Sequence, residues 1–152
     1  MTEEEVIKRY GAIVNGKLVD EDIACKVIQI PISIYAHFKV TNTATQMPFT
    51  RLYGHCDLEA PFIKALTNVL DAGVQDELHT FDGCFNVRLI RGGLNWSAHS
   101  WGMAVDLNAS LNPLGGISMW SDRFVQCFTM AGFTWGGTFQ RRDPQHFSLV
   151  GF

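Results

Sequence analysis

The chain has no apolar run approaching the roughly 18–20 residues needed to cross a bilayer, which excludes insertion as a spanning helix. It has no excess of basic residues. Its formal charge is −3, so a basic groove for nucleic acid is excluded as its working surface. It has no C-x-x-C pair: Cys25, Cys56, Cys84 and Cys127 are scattered, which argues against a zinc ribbon, a redox motif or a disulfide framework and for buried or idle thiols. It has no internal repeat, low-complexity tract or linker. Its opening, Met1-Thr2-Glu3-Glu4-Glu5, is acidic where a secretory signal is basic and then apolar, so synthesis in a cytosol without a signal peptide is expected. What is present is ordinary for a globular protein: 152 residues, 47% hydrophobic and 18% charged, enough for one domain over 1–152 and short for two.

Local patterns predict mixed structure. Thr2 and Glu5 make a capping box for a short N-terminal helix that Gly11 stops. Asn15-Gly16 predicts a tight hairpin. From Lys26 to Val40 the Ile/Val-rich chain is broken by Pro31 and reads as irregular extended structure, followed by a polar loop from Thr41 to Met47. The stripe Phe62, Ala65, Leu66, Val69, Leu70 predicts a helix from about Leu58 to Ala72, with Asp57 as N-cap and Gly73 as C-terminal cap. Alternation predicts strands over Phe85–Ile90, Met103–Asn108 and the tail from Gln145, and Phe124, Cys127 and Phe128 predict a helix over Ser121–Ala131. Helices and strands without βαβ order point to α+β, a small antiparallel sheet packed with helices.

Two segments carry the chemistry: Ser97-Ala98-His99-Ser100-Trp101-Gly102-Met103-Ala104-Val105-Asp106 and Asp143-Pro144-Gln145-His146-Phe147. Two histidines and a carboxylate form a recurring ligand set for catalytic zinc, which keeps one open position. In a regular strand residues seven apart face opposite ways, so the chain must bend between His99 and Asp106, and Gly102 is the residue that permits it. Pro144 biases Asp143 towards an extended conformation just ahead of a strand starting near His146. His37, His55 and His79 stand alone and read as packed or solvated side chains. Asn95-Trp96-Ser97 and Asn108-Ala109-Ser110 match the glycosylation sequon by chance.

The forms S-x-H-x-x-G-x-A-x-D and D-P-x-H-F, some forty residues apart, resemble the D-alanyl-D-alanine carboxypeptidase-like zinc peptidases of the M15 family, which include phage L-alanyl-D-glutamate endopeptidases (endolysins). The resemblance covers a core of about 83–149, and the compact Arg88-to-His99 segment looks more like the phage branch than the vancomycin-resistance dipeptidases. It implies a Hedgehog/DD-peptidase-like fold, with His99, Asp106 and His146 as ligands to Zn2+ and Asp143 as general base, where many relatives use Glu. Arg88 is the candidate for stabilising the charge that develops on the scissile carbonyl, with Arg91 as competitor, and either arginine could instead hold a substrate carboxylate. Ser97 either caps a turn or supports the His99 ring. Trp96, Trp101 and Trp135 flank the motifs and either wall a cleft or pack in the core. The implied partner is a peptidoglycan stem peptide at the bacterial cell wall, met by a monomer after export from the host cytoplasm. The alternatives are a D,D-carboxypeptidase or dipeptidase removing terminal D-Ala, and a non-catalytic zinc module of a virion or binding protein.

Overall fold

A computed structural model describes residues 1–152. Helix α1 (Glu3–Tyr10) opens the chain, with the Thr2/Glu5 capping box closed in both directions and Gly11 leaving the helix at positive φ. Strands β1 (Ile13–Val14) and β2 (Lys17–Leu18) form the Asn15-Gly16 hairpin, both turn residues at positive φ as a type I′ turn requires. The short α2 (Glu21–Ala24) leads into β3 (Cys25–Gln29), and a single helical turn α3 (Ile32–Tyr35) follows Pro31. Next come β4 (Thr41–Asn42), β5 (Met47–Pro48), β6 (Arg51–His55) and α4 (Glu59–Ala72). The motif-bearing half holds β7 (Thr80–Gly83), β8 (Ala104–Leu107), α5 (Asp122–Thr129), β9 (Thr134–Trp135) and β10 (His146–Ser148).

The strands make one six-stranded sheet in the order β5-β4-β7-β8-β10-β9, with β3 paired to β6 separately. The β4–β7 pair is parallel and the others are antiparallel, so the sheet is mixed rather than purely antiparallel, within an architecture compatible with α+β. Period-2 alternation divides the work of the central strands. Val105, Leu107 and Phe147 turn to one face and join Phe62, Leu66, Val69, Phe124 and Phe128 of α4 and α5 in the main core. Burial of each such side chain stabilises the fold by about 1.5–3 kcal/mol. Asp106 and His146, directly opposite each other in the β8–β10 register, occupy the other face. A second cluster, including Val6, Leu18, Trp101, Met103 and Val150, ties α1 and the hairpin to the turn that carries His99.

Four expectations are corrected. Lys26–Val40 is irregular only in part: β3 pairs with β6 in register from Cys25 to Gln29, and Pro31, whose fixed φ suits the entry to a helix, starts a helical turn, while 36–40 has no regular strand or helix. The polar stretch from Thr41 is the β4–β5 hairpin. Phe85–Ile90 is not a strand. Its polar backbone is drawn to the His99 turn instead: the Asn86 N–H donates to the His99 carbonyl, the Arg88 N–H to Ser100 Oγ, and the Arg88 carbonyl accepts from Ser97 N–H and Ser100 Oγ. The sheet strand is β7, just upstream. Asp57 is not the cap of the central helix, because a 3₁₀ turn over Cys56–Leu58 precedes it and His55 Nδ1 accepts the Asp57 N–H at 3.0 Å.

Candidate metal centre

The local chain path explains how three distant side chains meet. Ser97 caps a 3₁₀ turn over Ala98–Trp101, and Gly102 leaves that turn in the left-handed region at φ 66°. A Cβ there would lie 2.6 Å from the His55 backbone nitrogen, so only glycine permits both the turn and its close approach to β6. The reversal returns the chain into β8 with the His99 ring over the face that presents Asp106 and His146. His99 Nε2 lies 3.2 Å from Asp106 Oδ2, His146 Nδ1 lies 3.2 Å from Asp106 Oδ1, and the two ring nitrogens are 3.1 Å apart.

The outward nitrogens settle which atoms face inward. His99 Nδ1 meets the Cys84 carbonyl at 2.6 Å and His146 Nε2 meets the Phe152 carbonyl at 3.1 Å. Carbonyl oxygens only accept, so each outer nitrogen carries the proton, and in the neutral rings His99 Nε2 and His146 Nδ1 present lone pairs to one another and to a carboxylate. Two ring nitrogens and the two oxygens of one carboxylate converging in a buried setting repel unless a metal cation, or in its absence an added ring proton, sits among them. The two ring nitrogens, 3.1 Å apart, compare with about 3.3 Å for donors sharing a tetrahedral zinc at its usual bond lengths, and each lies 3.2 Å from a different oxygen of Asp106, so the donor set is compatible with that ion. His99, Asp106 and His146 form a group that could hold a metal.

The electrostatics follow from the same contacts. Burial works to raise the Asp106 carboxyl, but the charges and hydrogen bonds of His99 and His146 outweigh it and hold Asp106 well below the usual carboxylate range. Burial works to lower His146, and its bond to Asp106 reverses the direction. Asp143 moves the other way. Desolvation raises its carboxyl, the nearby Asp106 adds to the rise, and His146, His99 and Arg88 offset part of it. Its Oδ1 is buried without a hydrogen-bond partner, an acceptor held ready near the metal group.

Asp143 is placed with care. Gly136 accepts the Asp143 N–H at 2.8 Å, and a Cβ on Gly136 would collide with the Asp143 carbonyl oxygen. The next carbonyl, that of Pro144, accepts two indole N–H groups, from Trp120 and Trp135, each at 2.9 Å. The expected site residues therefore separate. Asp143, Arg88, Arg91 and Ser97 line one cleft of about 140 Å³ with Asp106 and His146. Trp101 is fully buried, its indole N–H donating to the Gly11 carbonyl, and so packs in the core and does not wall the cleft. Trp135 likewise supports the Pro144 loop from outside the cleft, and Trp96 packs beside the second cluster. Ser97 Oγ accepts from the backbone N–H of His99, a cap for the turn and not a support for the ring.

The ring's support, the Cys84 carbonyl, was invisible in the sequence, since a backbone oxygen leaves no residue-type signal. Trp120 and Arg141 were also missed, and both lie outside the two motifs. A second His/Cys/Asp group, His55-Cys56-Asp57, is also close enough to hold a metal, but the His55 Nδ1 lone pair is already engaged by the Asp57 N–H.

Residues 91–149, less than half of the chain, match the profile of a D-alanyl-D-alanine carboxypeptidase family of the M15 peptidases, and this match supports the M15 family. His99, Asp106, Asp143 and His146 all fall inside it, while Arg88 lies outside. No curated protein matches the chain.

Proposed function

We propose that the protein is a zinc-dependent peptidoglycan peptidase, with a DD-peptidase-like fold, that hydrolyses stem peptides at the L-Ala–D-Glu bond in the manner of phage endolysins. The observation that carries this is the convergence of His99 Nε2, His146 Nδ1 and the Asp106 carboxylate, with Asp106 and His146 lining the same cleft as Asp143, whose buried Oδ1 has no partner. The family match supports the peptidase class, and M15 peptidases are zinc-dependent. Zinc, when bound, acidifies water towards pKa 7 and polarises a carbonyl.

The chain's own groups then have defined tasks. His99, Asp106 and His146 hold the ion, with the Cys84 and Phe152 carbonyls fixing both tautomers. Asp143 accepts the proton of the attacking water and delivers it to the amine that leaves as the C–N bond breaks. Its Oδ1, buried and without a hydrogen-bond partner, is free to take that proton. Arg88, half-buried along the cleft, stabilises the developing oxyanion. One domain suffices, with 83–149 as its working core, and the product acts at the cell wall as a monomer.

The test is mass spectrometry of muropeptides after digestion. New L-Ala and D-Glu termini are expected, absent with a chelator or with Asp143→Asn. The match to a D-alanyl-D-alanine carboxypeptidase family favours a second reading, removal of terminal D-Ala. That activity requires a free C-terminal carboxylate and is abolished on C-terminally amidated substrate, whereas endopeptidase activity persists. Stoichiometric zinc with no cut peptide would instead establish a non-catalytic zinc module.

A further inference from the structure

Net charge and local charge disagree in this molecule. The chain carries −3 overall, yet three arginines, Arg88, Arg91 and Arg141, line the cleft against two carboxylates, one of which is already shared by two imidazoles. None of the three arginines has an acidic partner: the ion pairs of the fold are Lys26–Glu59 and three His–Asp contacts. Exposed arginines usually wander, but Arg141 is tethered. Its Nη1 donates to the Arg91 carbonyl at 2.9 Å, joining two loops fifty positions apart. The same Nη1 would be only 3.4 Å from a Cβ at Gly92, so the guanidinium lies along a loop kept bare by glycine. One N–H is used in this bond, and the remaining donors of the Arg141 fork and all of Arg91's are free. Both arginines line the same cleft, and a planar carboxylate matches the guanidinium fork. Ile90, Leu114 and Phe139 supply apolar wall beside them.

We infer that Arg91 and Arg141 form a carboxylate-binding subsite that selects peptides bearing a free carboxylate beside the bond to be cut. The proposal rests on the peptidase reading and names what that site prefers. In a stem peptide, D-Glu is linked through its γ-carboxyl, so its α-carboxyl is free or amidated, and the subsite takes the free form.

The test uses calorimetric titration of the zinc-loaded protein with γ-D-Glu-L-Lys, which lacks the L-Ala–D-Glu bond, against its D-Glu α-amide. The acid binds about tenfold or more tightly than the amide. Arg141→Ala, a change at an exposed position, removes the preference, Arg141→Lys restores part of it, and raising salt weakens the acid alone. Equal binding of acid and amide, no binding of either, or a preference surviving in both Arg91→Ala and Arg141→Ala overturns the subsite. Digestion of muropeptides separates the two ideas: cleavage without acid preference sinks the subsite alone, and acid preference without cleavage sinks the peptidase.

Discussion

The inner and outer parts of the cleft are built on opposite plans. The inner part, His99, Asp106, His146 and Asp143, sits on or beside strands, and backbone groups of Cys84, Phe152 and Gly136 hold its members in single orientations. The outer part, Arg91 and Arg141, sits on exposed loops and is held by one hydrogen bond between them. Reaction chemistry demands atoms placed to fractions of an ångström, while recognition of an anion tolerates mobile cations. On the proposed function, the difference in construction separates groups that would transform a substrate from groups that would choose it.

Breaking the inner part has the largest expected effect. A chelator, or Asp106→Ala, abolishes peptide cleavage, and zinc content measured by atomic absorption falls from one per chain to none. Without the carboxylate, two lone pairs face each other across 3.1 Å with nothing to draw a cation. Zinc retained at full occupancy in Asp106→Ala would show that the cation is held elsewhere.

Next comes the scaffold behind Asp143. Gly136→Ala forces the Asp143 backbone away, because a methyl group has no space against that carbonyl oxygen. Gly136 is not among the positive-φ glycines, so the substitution acts through crowding alone. Activity falls by about a hundredfold, as expected for a catalytic group displaced by an ångström. Zinc binding weakens at the same time, since the added methyl would also come within 3.1 Å of the His146 Cβ. Unchanged kcat would mean that Asp143 is not the proton acceptor.

How much of this was legible in the sequence follows the same division. The metal group was legible because its spacing carries a physical demand: His99 and Asp106 share a face only if the chain reverses, and Gly102 sits at the reversal in the left-handed region. Hydrophobic periodicity located α4, α5 and β8 within a residue or two. Phe85–Ile90 misled because alternation reports which side chains are apolar, not where backbone N–H groups find acceptors. Here Ser100 Oγ and the His99 carbonyl compete with any sheet partner. Asp57 misled as a cap because the helix entry is a 3₁₀ turn, capped two residues earlier by an imidazole. Arg141 had no signal at all, its role depending on a contact across fifty residues.

The scaffold offers a mid-sized effect that leaves the chemistry aside. Asn108, buried and at φ 47°, accepts the His79 and Thr80 N–H groups and donates to the Glu77 carbonyl. Asn108→Ala leaves two part-buried N–H donors without their acceptor and puts alanine in a left-handed conformation, so urea unfolding should show a loss of about 2–4 kcal/mol. A loss under 1 kcal/mol would mean that water replaces the amide freely.

The smallest effect concerns a histidine outside the cleft. His55 is 6% exposed, and burial lowers its pKa below the ordinary 6.5, with Asp57 opposing and Arg9 reinforcing. The edge of the Tyr10 ring packs against it. Protonation would also remove the lone pair that accepts the Asp57 N–H. Because the folded pKa lies below the unfolded one, the unfolded chain takes up the proton first as pH falls. The contribution of neutral His55 is therefore complete above about pH 6.5 and is lost as pH drops from there through the folded value, at no more than about 1.4 kcal/mol per pH unit. His55→Asn keeps a capping acceptor but cannot titrate, so its stability should decline less than the parent's between pH 7 and pH 5. Taking the difference between the two proteins removes the contribution of the histidines in the metal group, which both share. Parallel curves would mean that His55 takes up its proton equally well in the folded and unfolded chain, so that burial does not hold it neutral.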